Sequence, residues 1–260
     1  MFPPERIVCL TEETVETFYL LGEERRIVGI SGYVVRPPRA RREKPRVSAF
    51  TTADIPKILG LKPDLVLTFS DLQADIAATL IRSGIEVHGF NQRSVPEILD
   101  MIMMLGALTG ATDRAQRLAQ ELATSIAGAR EQAAQPSRQP RVYFEEWDNP
   151  VISGIAWVSE LVEVAGGIDV FADRSSSKLA KDRVVTAEEV ITHAPDIIIG
   201  SWCGKKFRPE KVAQRPGFDC IPAVQRGSLH EIKSSLILQP GPAALTDGLA
   251  ALQAIILNAV

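Results

Sequence analysis

Short apolar runs alternate with helical periodicity along the whole chain. The runs RIVCL (6–10), DLVLTF (64–69) and RVYFEE (141–146) are each followed, directly or after a short loop, by a segment with apolar residues at helical spacing. Continuous apolar runs are typical of strands buried on both faces of a parallel sheet. The pattern therefore predicts an α/β fold. Further strands are predicted at 26–31, 86–90, 196–201 and 228–232.

The two halves of the chain repeat one pattern. The segment TADIPKILGLKPDLVL (52–67) matches TAEEVITHAPDIIIG (186–200) after a gap of two residues. Each segment indicates a short helix, a Pro-Asp turn and a buried strand. We therefore predict two Rossmann-like lobes with parallel sheets, over 1–93 and 141–260.

A long helical segment, 94–140, is predicted to join the lobes. Ser94 is an N-cap candidate, Gly106 and Gly110 are expected to interrupt the helical pattern, and PSRQP (136–140) reads as a short linker. Ligands of open α/β sheets bind outside the carboxyl ends of the strands. The sequence therefore predicts a ligand cleft between the lobes.

Composition excludes several classes of protein. The 260 residues are 45% hydrophobic and carry a formal net charge of −3, without the basic excess that a nucleic-acid surface needs. No apolar run approaches the roughly 20 residues of a membrane helix, so the protein is not membrane-embedded. Three cysteines and three histidines at loose spacing predict no disulfide framework and no metal site. We expect no cofactor.

The amino terminus has no apolar leader. The residues MFPPERIVCL pass directly into the first predicted strand, whereas a signal peptide needs a basic start and an apolar stretch of roughly 7–15 residues. The sequence as written predicts a cytoplasmic protein. A periplasmic protein with its leader trimmed would look the same.

Aromatic residues collect beside predicted strand ends and helix starts. The three tryptophans, Trp147, Trp157 and Trp202, all occupy such places in the second half, and Tyr33 and Phe69 occupy them in the first. Flat rings around a cleft suit a large flat apolar ligand. The alternative is that these residues only pack the core.

Charged and reactive side chains follow the same strand ends. In IIIGSWCGKKF (197–207), Cys203 and two lysines follow a buried strand. A nucleophilic cysteine would need a histidine base that the spacing does not supply, and no Walker, G-x-G-x-x-G or G-x-S-x-G motif is present. The basic segment 34–46 is interpreted as a solvated loop from which only Arg36 reaches the cleft. The charged or reactive residues expected at the cleft are Arg36, Glu146, Cys203, Lys205 and Lys206.

The segments RIVCLTEETVETFYLLGEERRIVGISGY, KPDLVLTF and ISGIAWVSELVEVAGG resemble the substrate-binding proteins of ABC importers for vitamin B12 and iron–siderophore complexes. The resemblance covers nearly the whole chain. It implies two α/β lobes joined by a long helix, with the ligand between them. It also implies that Tyr33, Phe50 and Phe69 hold the corrin ring and that the loop before Trp157 forms another wall.

The resemblance further implies docking on an ABC permease through one glutamate from each lobe. Glu188 matches one of them. The other position falls on Pro56, with Asp54 nearby.

These observations predict a non-catalytic binding protein for a corrinoid. A ferric-siderophore or other metal-chelate binding protein is the alternative, and it would need cleft cations for the anionic chelate. An alternative of another class is a cytoplasmic enzyme or chaperone acting on a corrinoid or metal cofactor, with Cys203, Lys205 and Glu146 as its working groups.

Overall fold

Two sheets with helices around them make up the computed structural model, which describes residues 2–134, 138–177 and 179–259. The chain divides into two compact units: unit 1 contains residues 1–92 and 96–121, and unit 2 contains residues 93–95 and 122–260. The predicted three-part division at 93 and 140 stays a prediction. Part of the predicted linker, 135–137, lies outside the described residues.

Unit 1 contains a five-stranded sheet in which all strands are parallel, in the order β3-β2-β1-β4-β5. Its central strands, β1 and β4, are fully buried, which explains their unbroken apolar sequences. The strands are β1 (Ile7–Cys9), β2 (Ile27–Ser31), β3 (Arg46–Ser48), β4 (Leu65–Phe69) and β5 (Val87–Phe90).

The basic segment 34–46 is not the loop that the sequence suggested. It contains a short helix and begins an edge strand, and Ala40, on that helix, is fully buried and anchors it. The helices that lie wholly in unit 1 are α1 (Glu12–Leu20), α2 (Ala40–Glu43), α3 (Ile55–Gly60) and α4 (Ala74–Arg82). Helix α5 (Val95–Thr109) also belongs to unit 1, apart from its first residue.

Unit 2 contains a second sheet in the order β10-β9-β6-β7, with β8 also paired to β6. All pairs are parallel except β6 with β7, which is antiparallel. Strand β7 corrects the prediction of a plain loop before Trp157. The strands are β6 (Arg141–Asp148), β7 (Val151–Ser153), β8 (Ile168–Asp169), β9 (Ile197–Gly200) and β10 (Leu229–Glu231).

Helices also surround the sheet of unit 2. Gly200 is the last residue of β9, and the ring of Phe207 lies directly against it. A Cβ at this position would come within 1.8 Å of the Phe207 ring, so only glycine fits. The helices are α7 (Ala156–Val164), α8 (Ala172–Ser175), α9 (Ala187–His193), α10 (Pro209–Ala213), α11 (Pro222–Gln225), α12 (Ser234–Ile237) and α13 (Leu249–Leu257).

The two units share one strand order. The series β2-β1-β4-β5 in unit 1 corresponds to β8-β6-β9-β10 in unit 2, and both match the Rossmann arrangement. In each series the strand that comes first in the chain, β1 or β6, has the second strand on one side and the third strand on the other. Ligands of such sheets bind outside the carboxyl ends at this switch point, which lies at β1 and β4 in unit 1 and at β6 and β9 in unit 2.

Helices α5 and α6 (Thr112–Ala133) occupy the predicted helical segment. Gly110 separates them, with a positive φ of 73° that favours glycine. Gly106 does not interrupt the pattern; it lies inside α5, where a Cβ would come within 2.2 Å of Ala115. Helix α6 contributes to unit 1 through Glu121 and to unit 2 from Leu122. Among the described residues, no helix is long and apolar enough to span a membrane.

Candidate ligand-binding site

A buried glutamine holds the switch point of unit 1 together. The Gln73 amide nitrogen donates to the carbonyl oxygens of Leu10 (3.2 Å) and Phe50 (2.8 Å), and its oxygen accepts the backbone N–H of Phe69 (3.0 Å). Gln73 is fully buried. One neutral side chain therefore fixes the carboxyl ends of β1 and β4 and the chain that follows β3. Sequence reasoning missed this residue, because its partners lie up to 63 positions away.

The aromatic residues predicted in unit 1 differ in exposure. Tyr33, just after β2, is 53% exposed. Phe50 is half-buried, and Phe69 is 6% exposed at the end of β4. The exposed Leu72 follows in the short 3₁₀ turn after β4. These four side chains lie at or just after the carboxyl ends of β2, β3 and β4, so the carboxyl edge of this sheet offers apolar surface. Their contact with a ligand stays a prediction.

Carboxylates line the start of α1, which follows β1. Glu13 is 3% exposed and accepts a hydrogen bond from the Thr11 hydroxyl at 2.6 Å. Burial, with smaller contributions from Glu12 and Glu16, raises the pKa of Glu13 to about 8. Burial also raises the pKa of Glu12. The Glu13 carboxyl is therefore largely protonated at neutral pH, which limits the negative charge at this strand end.

Arg36 is held at the same edge by an ion pair. Its Nε donates to Glu16 at 2.8 Å, and the side chains are 29% and 9% exposed. The sequence analysis proposed Arg36 for the ligand site, and it lies on the loop that begins with Tyr33. Its guanidinium charge is already partly compensated by Glu16.

A buried ionic cluster fills the switch point of unit 2. Glu145, on β6, is fully buried and accepts two hydrogen bonds from Arg215, at 2.5 and 2.8 Å. It also accepts the Tyr143 hydroxyl (3.0 Å) and the indole N–H of Trp202 (3.1 Å). We call Tyr143, Glu145, Trp202 and Arg215 the Glu145 cluster. No sequence signal identified Arg215, which lies 70 positions from Glu145.

Two of the three tryptophans are buried in unit 2. Trp202 is 4% exposed and packs edge-on against Phe207, with ring centroids 5.0 Å apart. Trp157 is 3% exposed on α7, and its indole N–H donates to the carbonyl oxygen of Ile237 at 2.9 Å. The alternative interpretation, core packing, describes their positions. Ligand contact through these two rings stays a prediction.

The third tryptophan carries a lysine on its face. The ammonium of Lys205 lies 4.3 Å from the centre of the half-buried Trp147 ring and 5.1 Å from that of Trp202. It also forms an ion pair with Asp148. Such a cation–π arrangement holds the side chain over the indole. A flat ligand that stacked on this face of Trp147 would have to displace the Lys205 ammonium.

Three further residues were predicted for the site in unit 2: Cys203, Lys206 and Glu146. Cys203 and Lys206 are exposed in the turn after β9, beside Gly204 with its positive φ of 76°. Glu146 is held by the buried Arg183, at 2.6 Å and 3.2 Å. Its carboxylate is therefore engaged within the protein. Within the described residues, no group of three or more His, Cys, Asp or Glu side chains is placed to hold a metal ion.

The two positions predicted for permease docking occupy equivalent helix starts. The Asp54 carboxylate caps α3 by accepting the backbone N–H of Lys57 at 3.0 Å. The Thr186 hydroxyl caps α9 by accepting the backbone N–H of Glu189 at 3.2 Å. Pro56 and the exposed Glu188 are then each the second residue of their helix. The structure thus places both positions alike without showing a partner.

The sequence pattern of the periplasmic binding protein family matches residues 7–236, most of the chain. The chain belongs to this family. The resemblance stated from the sequence is therefore confirmed, as is the two-lobed α/β fold with parallel sheets and a long helix. Proteins of this family bind solutes without catalysis, so the prediction of a non-enzyme is confirmed as well.

The chain is similar to vitamin B12-binding proteins and to a heme-binding protein. A vitamin B12-binding protein of Vibrio cholerae is 31% identical over 204 residues, which are 77% of this chain and 71% of that protein. The solved vitamin B12-binding protein BtuF of Vibrio cholerae gives a TM-score of 0.79 at 25% identity, covering 100% of this chain and 99% of the other. The heme-binding protein RhuT from Roseiflexus shares the fold, with a TM-score of 0.82 at 24% identity over 97% and 99% of the chains.

Proposed function

We propose that this periplasmic binding protein takes a corrinoid and serves as the substrate-binding protein of an ABC importer. The observation that carries the proposal is the 31% identity to a vitamin B12-binding protein over 77% of this chain. The apolar carboxyl edge of the sheet in unit 1 supports it, because the exposed ring of Tyr33 and the half-buried ring of Phe50 suit the face of a large planar ligand. Tyr33 and Phe50 are the residues proposed to contact the ring there, with the buried Phe69 supporting them.

In unit 2, ligand contact is proposed for the residues that the Glu145 cluster leaves accessible. Trp147 is half-buried and Lys205, Lys206 and Cys203 are exposed, so these side chains can meet a ligand without unfolding the core. Trp157 and Trp202 would contribute mainly by supporting their neighbours. Glu146 would act through its pairing with Arg183 and not as a free carboxylate.

The exposed lysines favour a second candidate ligand. An anionic chelate, such as a ferric siderophore or a haem with free propionates, gains from cations that a corrinoid with neutral amide side chains does not need. Lys206 and, on exchanging its Asp148 partner for the ligand, Lys205 supply such charge in unit 2; Arg36 supplies it in unit 1 on exchanging Glu16. The fold shared with a heme-binding protein is compatible with this ligand but does not select it.

A fluorescence titration tests the proposal. A corrinoid bound beside Trp147 should quench tryptophan emission in proportion to occupancy. The titration should use cobalamin, cobinamide, haem and a ferric siderophore, each at equal concentration. Saturable quenching by the corrinoids alone supports the corrinoid function; saturation only by the anionic chelates favours the alternative, and no saturation by any of them contradicts both.

Docking on a permease is proposed through Glu188. It is exposed at the start of α9, and an arginine on the permease would be its natural partner. Glu188→Arg should abolish permease-stimulated uptake while leaving ligand affinity unchanged. Unchanged uptake would exclude docking through this residue.

The compartment is a separate prediction. The sequence suggested a cytoplasmic protein, whereas the proposed import function requires a protein outside the inner membrane. Fractionation of cells that express the native gene from its own promoter distinguishes the two, and recovery in the periplasmic fraction would overturn the cytoplasmic prediction.

A further inference from the structure

The strongest positive charge of unit 1 is concentrated on α2 and the start of β3. Residues 36–46 contain six basic side chains and one acidic side chain in a chain whose formal net charge is −3. Arg41, Arg42 and Arg46 are exposed, and none of their side chains has a hydrogen-bond or ion-pair partner within the described residues. We call these three residues the arginine face.

The arginine face is held in place by the residues around it. Arg39 pairs with Glu24 at 3.2 Å and lies over the ring of Tyr19, 4.7 Å from its centre. The Tyr19 hydroxyl donates to Glu43 at 2.6 Å, which engages the one carboxylate of the segment. The backbone N–H of Ile30 donates to the Pro45 carbonyl at 2.9 Å. The face is therefore a fixed surface and not a flexible tail.

The composition of this surface decides what kind of partner fits it. The exposed residues of segment 36–46 are charged residues and prolines, with no exposed large apolar side chain. Specific protein interfaces are built around aromatic and apolar anchors, with arginine as a favoured companion, and this surface supplies arginine without any such anchor. The acidic character of the whole chain disfavours nucleic acid. Clustered cations without an apolar anchor suit the diffuse negative charge of lipid headgroups.

We propose that the arginine face binds acidic phospholipid headgroups and so holds unit 1 against a negatively charged membrane surface. The planar guanidinium groups donate paired hydrogen bonds to phosphate oxygens. Each arginine near such a surface strengthens binding by about fivefold. This interaction is independent of the ligand proposed above, and neither depends on the outcome for the other.

Vesicle sedimentation tests the proposal. The full chain is mixed with vesicles of phosphatidylcholine containing phosphatidylglycerol, or with vesicles of phosphatidylcholine alone, at low and at high salt. We expect partitioning to the phosphatidylglycerol vesicles that high salt abolishes. The triple variant R41Q/R42Q/R46Q should lose on the order of 100-fold in partitioning. The single variant Arg42→Gln should lose about fivefold.

The matched control is R82Q/R117Q/R130Q, which removes the same charge from exposed positions on α4 and α6. It should partition within about twofold of the unaltered chain if the arginine face carries the interaction. Thermal melting establishes that every variant is folded. The proposal is overturned if the two vesicle types bind equally, if the control loses as much as the triple variant, or if the chain binds polyglutamate or duplex DNA but not phosphatidylglycerol.

Discussion

The two switch points have the same topology but different chemistry. In unit 1, the neutral side chain of Gln73 joins the ends of β1 and β4, and apolar residues such as Tyr33 remain exposed beside it. In unit 2, the charged Glu145 cluster lies on β6 opposite the end of β9 and buries Trp202. The difference teaches that equivalent positions need not share a role: unit 1 presents its apolar surface, whereas unit 2 uses its own side chains to fill the corresponding place.

The largest expected effect follows from breaking the Glu145 cluster. Glu145→Ala leaves the half-buried guanidinium of Arg215 and two further donors without their acceptor, and should lower the free energy of unfolding by about 3–5 kcal/mol. Urea denaturation measures it. The control Asp148→Ala removes a carboxylate that pairs with the exposed Lys205 and should cost less than about 1 kcal/mol. Similar losses for both variants would show that the cluster does not organise unit 2.

The second effect concerns Glu13 in unit 1. Its pKa is about 8 in the folded chain, against an ordinary value of 4.5. Between these pH values the folded state binds more protons than the unfolded state, so the free energy of unfolding should fall as pH rises through this window. The fall should be on the order of 1–4 kcal/mol.

Denaturation at several pH values measures this dependence. Glu13→Gln should flatten it, because an amide carries no charge at either end of the window. Glu121→Gln, which changes an exposed carboxylate on α6, should leave the slope as it is. A slope that persists in Glu13→Gln would mean that other groups, such as the half-buried Glu12, carry the pH dependence.

The third effect separates ligand contact from stability. Tyr33→Ala should weaken corrinoid binding by about 1–3 kcal/mol, the scale of a buried apolar side chain. It should change the free energy of unfolding by less than about 0.5 kcal/mol, since the ring is exposed in the free chain. Leu20→Ala is the matched control, because Leu20 is also 53% exposed but ends α1 away from the strand ends. Equal binding by both variants would remove Tyr33 from the site.

The smallest effect sharpens the choice of ligand. Lys205→Met keeps an aliphatic chain near Trp147 and removes the charge, and should alter stability by less than about 1 kcal/mol. Corrinoid binding should be unchanged or stronger, because no ammonium has to leave the indole face. Calorimetric titration measures it. A clear loss of affinity for an anionic chelate in the same variant would instead support the alternative ligand.

Much of the architecture could be predicted from the sequence, because the signals were local. Continuous apolar runs identified seven of the strands, and the repeat of TADIP and TAEEV marked equivalent helix starts before β4 and β9. Strands β3, β7 and β8 were missed. They are two or three residues long, and β3 and β8 bear charged or exposed residues, so neither length nor periodicity distinguishes them from loops.

The site was predicted less completely, because its organisation depends on contacts between distant residues. The sequence singled out the aromatic residues but could not show that Trp157 and Trp202 face inward while Tyr33 faces outward. Neither Gln73 nor Arg215 belongs to a motif. Each has at least one partner more than 60 positions away, Leu10 for Gln73 and Glu145 for Arg215, and only the folded chain brings these groups together.

Retention of a coloured ligand tests the central proposal most directly. The full chain is mixed with excess cobalamin, desalted, and its visible spectrum is compared with its protein absorbance; haem is run in parallel. We predict an equimolar amount of corrinoid on the unaltered chain, markedly less on Tyr33→Ala, and little haem on either. A cooperatively folded chain that retains no corrinoid, or that retains haem in its place, would contradict the proposed function.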